Sequence, residues 1–89
     1  MAESKLLSAE QEQLVSKVSR IVAAVTGVAA EPQDDLLSLG VDSMQMLEIL
    51  TALEDEFGIG MGENMVREFR TIERIVRIIK DNVAAAPAR

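Results

Sequence analysis

The stretch that decides the fold runs Leu36-Leu37-Ser38-Leu39-Gly40-Val41-Asp42-Ser43-Met44-Gln45-Met46-Leu47-Glu48-Ile49-Leu50-Thr51-Ala52-Leu53-Glu54-Asp55-Glu56-Phe57. Asp42 is a good helix N-cap, and Gln45 three residues on completes a capping-box spacing, so a helix is predicted from Ser43 to Phe57. Met46, Ile49, Leu50, Leu53 and Phe57 recur at three- and four-residue steps and make a core stripe. Met44, Leu47, Glu48, Thr51, Glu54 and Asp55 make a second face at the same spacing. Gly58, Gly60 and Gly62 then end the helix, because three glycines in five residues cannot sustain one.

Outward from this segment, every further element also reads as helical, and no stretch alternates like a strand. Upstream, Ser8-Ala9-Glu10-Gln11 fits a capping box, which places a helix start at Ser8. Leu14, Val18, Ile21, Val22 and Val25 form its apolar face, and Gly27 is its stop. From Gly27 to Val41 runs a long connection containing Pro32, which Leu36 and Leu39 are expected to pin to the core. A loop of this length in so small a domain usually has a function. Downstream, a short helical piece is expected near residues 63–68, buried through Met65 and Phe69. A last helix follows Thr71 as N-cap, with Ile72, Ile75, Val76, Ile79 and Val83 inward. The expectation is an all-α four-helix bundle: three main helices, one short third helix and a long first loop. Residues 8–83 form its single domain, between a flexible N-terminus (1–7) and a flexible tail (84–89).

Charge is distributed unevenly. Residues 42–63 carry Asp42, Glu48, Glu54, Asp55, Glu56 and Glu63 with no Lys or Arg, which equals the whole net charge of −6. Such a surface disfavours nucleic acid, whose phosphates need a basic face, and favours basic protein partners. Alternatively, it is a solvated face that only aids solubility. The chain has no Cys and no His, which removes disulfides, thiolate catalysis and the commonest general base. No apolar run approaches the ~20 residues that a bilayer span needs, and the first residues lack the apolar core of a secretory signal. A cytoplasmic monomer without membrane partner is the default expectation, and the Met1 start favours a freestanding chain.

Ser43 is the candidate for chemistry. A hydroxyl on the first turn of a helix is exposed and lies where the helix dipole favours an approaching phosphate. Nothing in the chain could activate it as a nucleophile, since Met46 stands where a Ser-x-x-Lys pair would need lysine. It can still be a substrate modified in another protein's active site, or it can be an ordinary first-turn residue. No catalytic constellation and no calcium-type Asp-x-Asp-x-Asp-Gly loop occurs, so neither catalytic nor metal residues are assigned.

Leu36, then Leu39-Gly40-Val41-Asp42-Ser43-Met44, Glu48, and Ala52-Leu53-Glu54-Asp55-Glu56-Phe57 resemble the attachment segment of acyl carrier proteins. The likeness continues through Met61, Phe69 and Thr71-Ile72 and covers most of the chain. It implies a carrier and not an enzyme, with 4′-phosphopantetheine from coenzyme A joined to Ser43 by a Mg²⁺-dependent phosphopantetheinyl transferase. Cargo would ride on the arm as a thioester, presented to acyl-loading, condensing and acyl-transfer enzymes with basic docking faces. Asp42, Met44, Leu47, Glu48, Thr51, Glu54 and Asp55 would be the partner-recognition residues, with Met44 and Leu47 an apolar contact at the root of the arm. Asp42 also serves as a plain N-cap, and Met44 and Leu47 could instead cover the long loop.

Three features depart from the common fatty-acid pattern. Gln45 stands where many such carriers have an acid, and Gly62 where they often have proline. Arg67, Arg70, Arg74 and Arg77 form a basic stripe, or simply a solvated face with Glu73 pairing to Arg77. Together they lean toward polyketide or related specialised biosynthesis, beside fatty-acid synthesis. Leu-Gly-Val-Asp-Ser leans toward acyl over aminoacyl or peptidyl carriers. The rival outside this family is an acidic helical adaptor that carries nothing.

Overall fold

The computed structural model describes residues 2–85, and side chains from Glu10 to Asn82. Its elements are α1 (Ala2–Thr26), α2 (Ser43–Phe57), a short 3-10 helix (Glu63–Glu68) and α3 (Ile72–Ala85), with no strand among the described residues. This is the expected four-helix bundle. Helix α1 packs against both α2 and α3, while the short helix packs on α2.

The start of α1 differs from the sequence expectation. The helix begins at Ala2 and runs through Ser8 without a break. Residues 2–7 contain no Gly or Pro, and Ala, Glu, Lys and Leu are strong helix formers, so propensity carries the helix past the capping pattern. At the other end, the Gly27 amide donates to the Ala23 carbonyl at 2.7 Å with φ at +75°, the expected glycine stop.

Val18 and Val22 of α1, Met46, Ile49, Leu50 and Leu53 of α2, and Ile72, Ile75, Val76, Ile78 and Ile79 of α3 make the core, with Phe69 wholly buried among the aliphatics. Leu14, Ile21, Val25, Phe57 and Met65, expected inside, are only partly buried and pack around it. Ile78 is buried although it falls outside the three-and-four stripe read from the sequence, so α3 buries a broader face. The side chain of Val83 and residues 86–89 of the expected tail lie outside the described residues; residues 84 and 85 continue α3.

The long loop is tied down at several points. The Leu36 amide donates to the Arg70 carbonyl at 2.8 Å, and the Glu73 amide to the Pro32 carbonyl at 3.0 Å. Arg70 also pairs with Asp35 at 3.2 Å. Leu36 is fully buried as expected, but Leu39 is not a core pin; Val41 takes that place. The reason is a tight turn. The Val41 amide donates to the Leu36 carbonyl at 3.1 Å, and the Gly40 amide to the Leu37 carbonyl at 3.1 Å. With Leu36 and Val41 both plugged into the core, residues 37–40 are pushed outward.

A candidate attachment serine at the head of an acidic helix

The turn delivers the chain to Asp42, whose extended backbone (φ −96°, ψ 178°) starts α2. Its carboxylate Oδ1 accepts the Gln45 amide at 2.9 Å, and the Gln45 side-chain Oε1 accepts the Asp42 amide at 3.2 Å. The reciprocal box expected from sequence is therefore formed, and it satisfies two donors that a helix start would otherwise leave open. Because Asp42 supplies the cap, Ser43 is the first residue inside the helix and is exposed. A helix's first turn leaves backbone N–H groups open, and these favour a phosphate near the N-terminus. The exposed hydroxyl beside these donors fits a serine phosphodiester such as phosphopantetheine.

The rest of the face follows the helical spacing. Met44 is largely exposed, and Leu47 is partly so. Glu48, Thr51 and Asp55 are exposed on the same element. The Thr51 hydroxyl is spent on its own helix, donating to the Leu47 carbonyl at 3.1 Å.

Glu54 is placed differently. Its Oε2 accepts the Met61 amide at 2.8 Å and the Gly62 amide at 3.2 Å, so the carboxylate is folded back over the end of α2. Its carbonyl meanwhile accepts the Gly58 amide, with Gly58 in the left-handed region at φ +65° that glycine adopts without strain. One residue thus closes the 58–62 loop from both its main chain and its side chain. The sequence suggested Glu54 as a surface acid and contained no signal of this clamp, which depends on where the glycine-rich loop returns.

The acids also have a partner from outside the segment. Lys17 of α1 lies 3.4 Å from Glu56 and 5.6 Å from the centre of the Phe57 ring. A count over residues 42–63 alone could not reveal this base. The basic stripe is likewise partly used internally: Arg70 binds Asp35, and Arg74 binds Glu68 at 2.7 Å. The expected Glu73–Arg77 pair is not among the ion pairs of the described residues; Arg74 reaches back to Glu68 instead. The Arg70 guanidinium beside Asp35 holds its carboxyl below the usual carboxylate range; partial burial opposes this, and hydrogen bonds from the Leu37 and Ser38 amides add to the lowering.

No described helix is long and apolar enough to cross a membrane. Among the described residues, no group of three or more Asp, Glu, His or Cys is placed to hold a metal ion.

Comparison with known proteins agrees with this geometry. A family model described as the phosphopantetheine attachment site matches residues 16–79. The chain is 32% identical over 81 residues to a chloroplastic acyl carrier protein of Brassica napus, covering 86% of this chain and 60% of that protein. It is 33% identical over 84 residues to acyl carrier protein 4, chloroplastic, of Arabidopsis thaliana, covering 90% and 61%. The chain therefore spans about three fifths of the length of these relatives. Among solved structures, an acyl carrier protein from Thermotoga maritima superposes with a TM-score of 0.71 at 19% identity, covering 84% of this chain and 92% of that one. A chain from a structure titled the ishigamide ketosynthase/chain length factor gives the same TM-score at 23% identity, covering 79% and 93%. These two likenesses concern the fold, whereas the family match spans the turn, the capping box and α2 together: this chain belongs to the acyl carrier protein family.

Proposed function

We propose that this chain carries acyl groups as thioesters on a 4′-phosphopantetheine arm joined to the Ser43 oxygen. The observation that carries the proposal is the division of labour at the head of α2. Asp42 closes the helix with Gln45, and this leaves the neighbouring Ser43 hydroxyl exposed and unneeded for the cap. In the loading step the Ser43 oxygen bonds to the phosphorus that bears pantetheine, the pyrophosphate link of coenzyme A breaks, and adenosine 3′,5′-bisphosphate leaves. The chain has no His to take the serine proton; the transferase is proposed to supply the base, and Asp42, beside Ser43, to help dock the transferase and its metal. When bound, the arm supplies a thiol that activates cargo as a thioester. The chain's own contribution is to display one oxygen and to mark it for partners.

Asp42, Met44, Leu47, Glu48, Thr51, Glu54 and Asp55 are proposed as that mark. Glu48 and Asp55 offer carboxylates to basic side chains, while Glu54 keeps Oε1 for a partner and uses Oε2 in its loop. Such charge complementarity chiefly raises encounter rates and selects partners. The partner set proposed is a phosphopantetheinyl transferase followed by loading, condensing and acyl-transfer enzymes of polyketide, fatty-acid or related biosynthesis. The fold likeness to a chain from a ketosynthase structure is in keeping with a condensing partner.

The test is an intact mass after incubation with coenzyme A, Mg²⁺ and a broad-specificity transferase. Addition of one phosphopantetheine to the native chain and none to Ser43→Ala is expected. A native chain that stays bare, or a Ser43→Ala chain that still gains mass, overturns the proposal.

A further inference from the structure

The three acids assigned to docking on α2 are not equivalent acceptors. Glu48 and Asp55 are exposed, and neither carboxylate takes part in a hydrogen bond or ion pair among the described residues. Glu54 is half-buried. It follows Ser43 by three helical turns, a rise of roughly 16 Å, on the same side of the helix. Its Oε2 accepts two backbone amides, from Met61 at 2.8 Å and Gly62 at 3.2 Å. A carboxylate offers about two lone-pair sites on each oxygen, so Oε2 is filled. Oε1 has no partner among the described residues.

We infer that partners read Glu54 through one oxygen: Oε1 takes a single end-on donor, of the kind a lysine ammonium offers, while a forked arginine is received by Glu48 or Asp55. This rests on the docking role proposed above. An arginine fork makes two parallel N–H···O bonds, one to each carboxylate oxygen. At Glu54 the second bond would have to displace the Met61 or Gly62 amide from Oε2. That displacement disturbs a lightly held element. Gly62 directly precedes the short helix (Glu63–Glu68), which has no side-chain cap and no buried residue of its own. An ammonium is a compact point charge and needs only the free oxygen. Docking and loop closure therefore use separate atoms of one side chain. A partner with a single donor at Glu54 docks while the 58–62 loop stays shut, and one that forks there must open it.

The experiment uses the full chain and the broad-specificity transferase as the partner. Amide NMR follows the chain in Ser43→Ala form with transferase, coenzyme A and Mg²⁺, so that docking proceeds without transfer. The Met61 and Gly62 amides are expected to keep their hydrogen-exchange protection in the complex, while amides beside Glu48 and Asp55 shift. Loading kinetics are then compared for the native chain and Glu54→Gln. The carboxamide keeps one oxygen for the loop amides but turns an NH₂ toward the incoming cation. Glu54→Gln should therefore retain the Met61 and Gly62 protection of the native chain, with KM for loading raised about tenfold, the loss of one charge-assisted contact, and kcat little changed. Loss of Met61 or Gly62 protection on docking means that both oxygens are taken and overturns the inference. So does a native KM in Glu54→Gln, which means that no partner reads the free oxygen. Both outcomes leave the carrier reading intact, whereas a native chain that gains no phosphopantetheine overturns the carrier reading itself. Should Glu54→Gln lose the loop protection even when free, the Met61 and Gly62 amides of the docked Ser43→Ala chain still decide the matter.

Discussion

The Oε2 atom of Glu54 accepts the amide of Met61 at 2.8 Å, seven residues along the chain and past the end of the helix that Glu54 belongs to. A carboxylate expected to face partners therefore also shapes the loop leading to the short helix. Hydrogen bonds to a charged group contribute more than neutral ones, and removing the acceptor leaves the Met61 and Gly62 amides to find water. Glu54→Ala should lower unfolding free energy by about 1–2 kcal/mol. For a domain of this size that corresponds to a melting temperature lower by roughly 4–16 °C. Glu48→Ala, which removes an exposed acid with no such bonds, should stay within about 0.5 kcal/mol of the native chain. Denaturant titration of both variants checks this; equal stabilities would show that the clamp contributes nothing in solution.

Asp42 joins two roles that substitution can separate. Its carboxylate caps α2 through the Gln45 amide, and it is proposed to help dock the transferase and its metal. Asn caps about as well as Asp, whereas Ala costs roughly 1 kcal/mol. Asp42→Asn should therefore melt close to the native chain yet be loaded with phosphopantetheine more slowly, by about tenfold if one charge-assisted contact of ~1.4 kcal/mol is lost. Asp42→Ala should show both defects. Native loading rates in Asp42→Asn would reduce Asp42 to a cap.

What could be read from the sequence was mostly local. The Asp42–Gln45 box, the stop at Gly27, the Thr71 cap (whose hydroxyl accepts the Arg74 amide at 3.0 Å) and the α2 core stripe are spacings of three and four within one element. Such spacings report on side chains that face each other in any helix. The misses involve distance along the chain. Leu39 is expected as a core pin and Val41 is given no place, because a turn closed by the Leu36 carbonyl decides which of them is buried. Lys17 meets Glu56 only after α1 packs on α2, and Glu54 finds Met61 only after the loop turns back. Ser43 itself was legible because its chemistry rests on a contiguous motif. The distribution of charge around it was less so, because ion pairs are made in three dimensions.

The Asp35–Arg70 pair links the loop before Ser43 to the segment leading into α3. Asp35 titrates below its ordinary value because of that guanidinium. A carboxyl depressed in the folded state contributes stability above its unfolded pKa and loses it as pH falls through the folded one. The loop ties should therefore hold at neutral pH and weaken only below the ordinary Asp range near 3.9. Arg70→Gln should move the Asp35 titration upward, toward the ordinary value, as followed by carboxyl NMR. Because Leu36 stays bonded through the Arg70 carbonyl, a backbone group, the turn itself should persist in that variant. An unmoved Asp35 titration would mean that the pair is not formed in solution.

Added salt should raise the melting temperature. The net charge is −6, and Glu48, Asp55 and Glu63 lie on exposed positions of one segment without a basic partner among the ion pairs of the described residues. Salt also screens the three pairs Lys17–Glu56, Arg70–Asp35 and Arg74–Glu68, which works in the opposite direction. Each of those is exposed on both sides, and exposed pairs contribute only about 0–1 kcal/mol. Repulsion summed over the acidic segment acts against folding at every separation within the ~10 Å screening length at 0.1 M salt. The net effect expected between low salt and about 0.5 M is a rise of several degrees. Glu48→Gln/Asp55→Asn should start from a higher melting temperature and respond less to salt, since it removes the source of the repulsion. A flat response in the native chain, or an undiminished one in this double variant, would show that Lys17 and the loop amides already neutralise the segment.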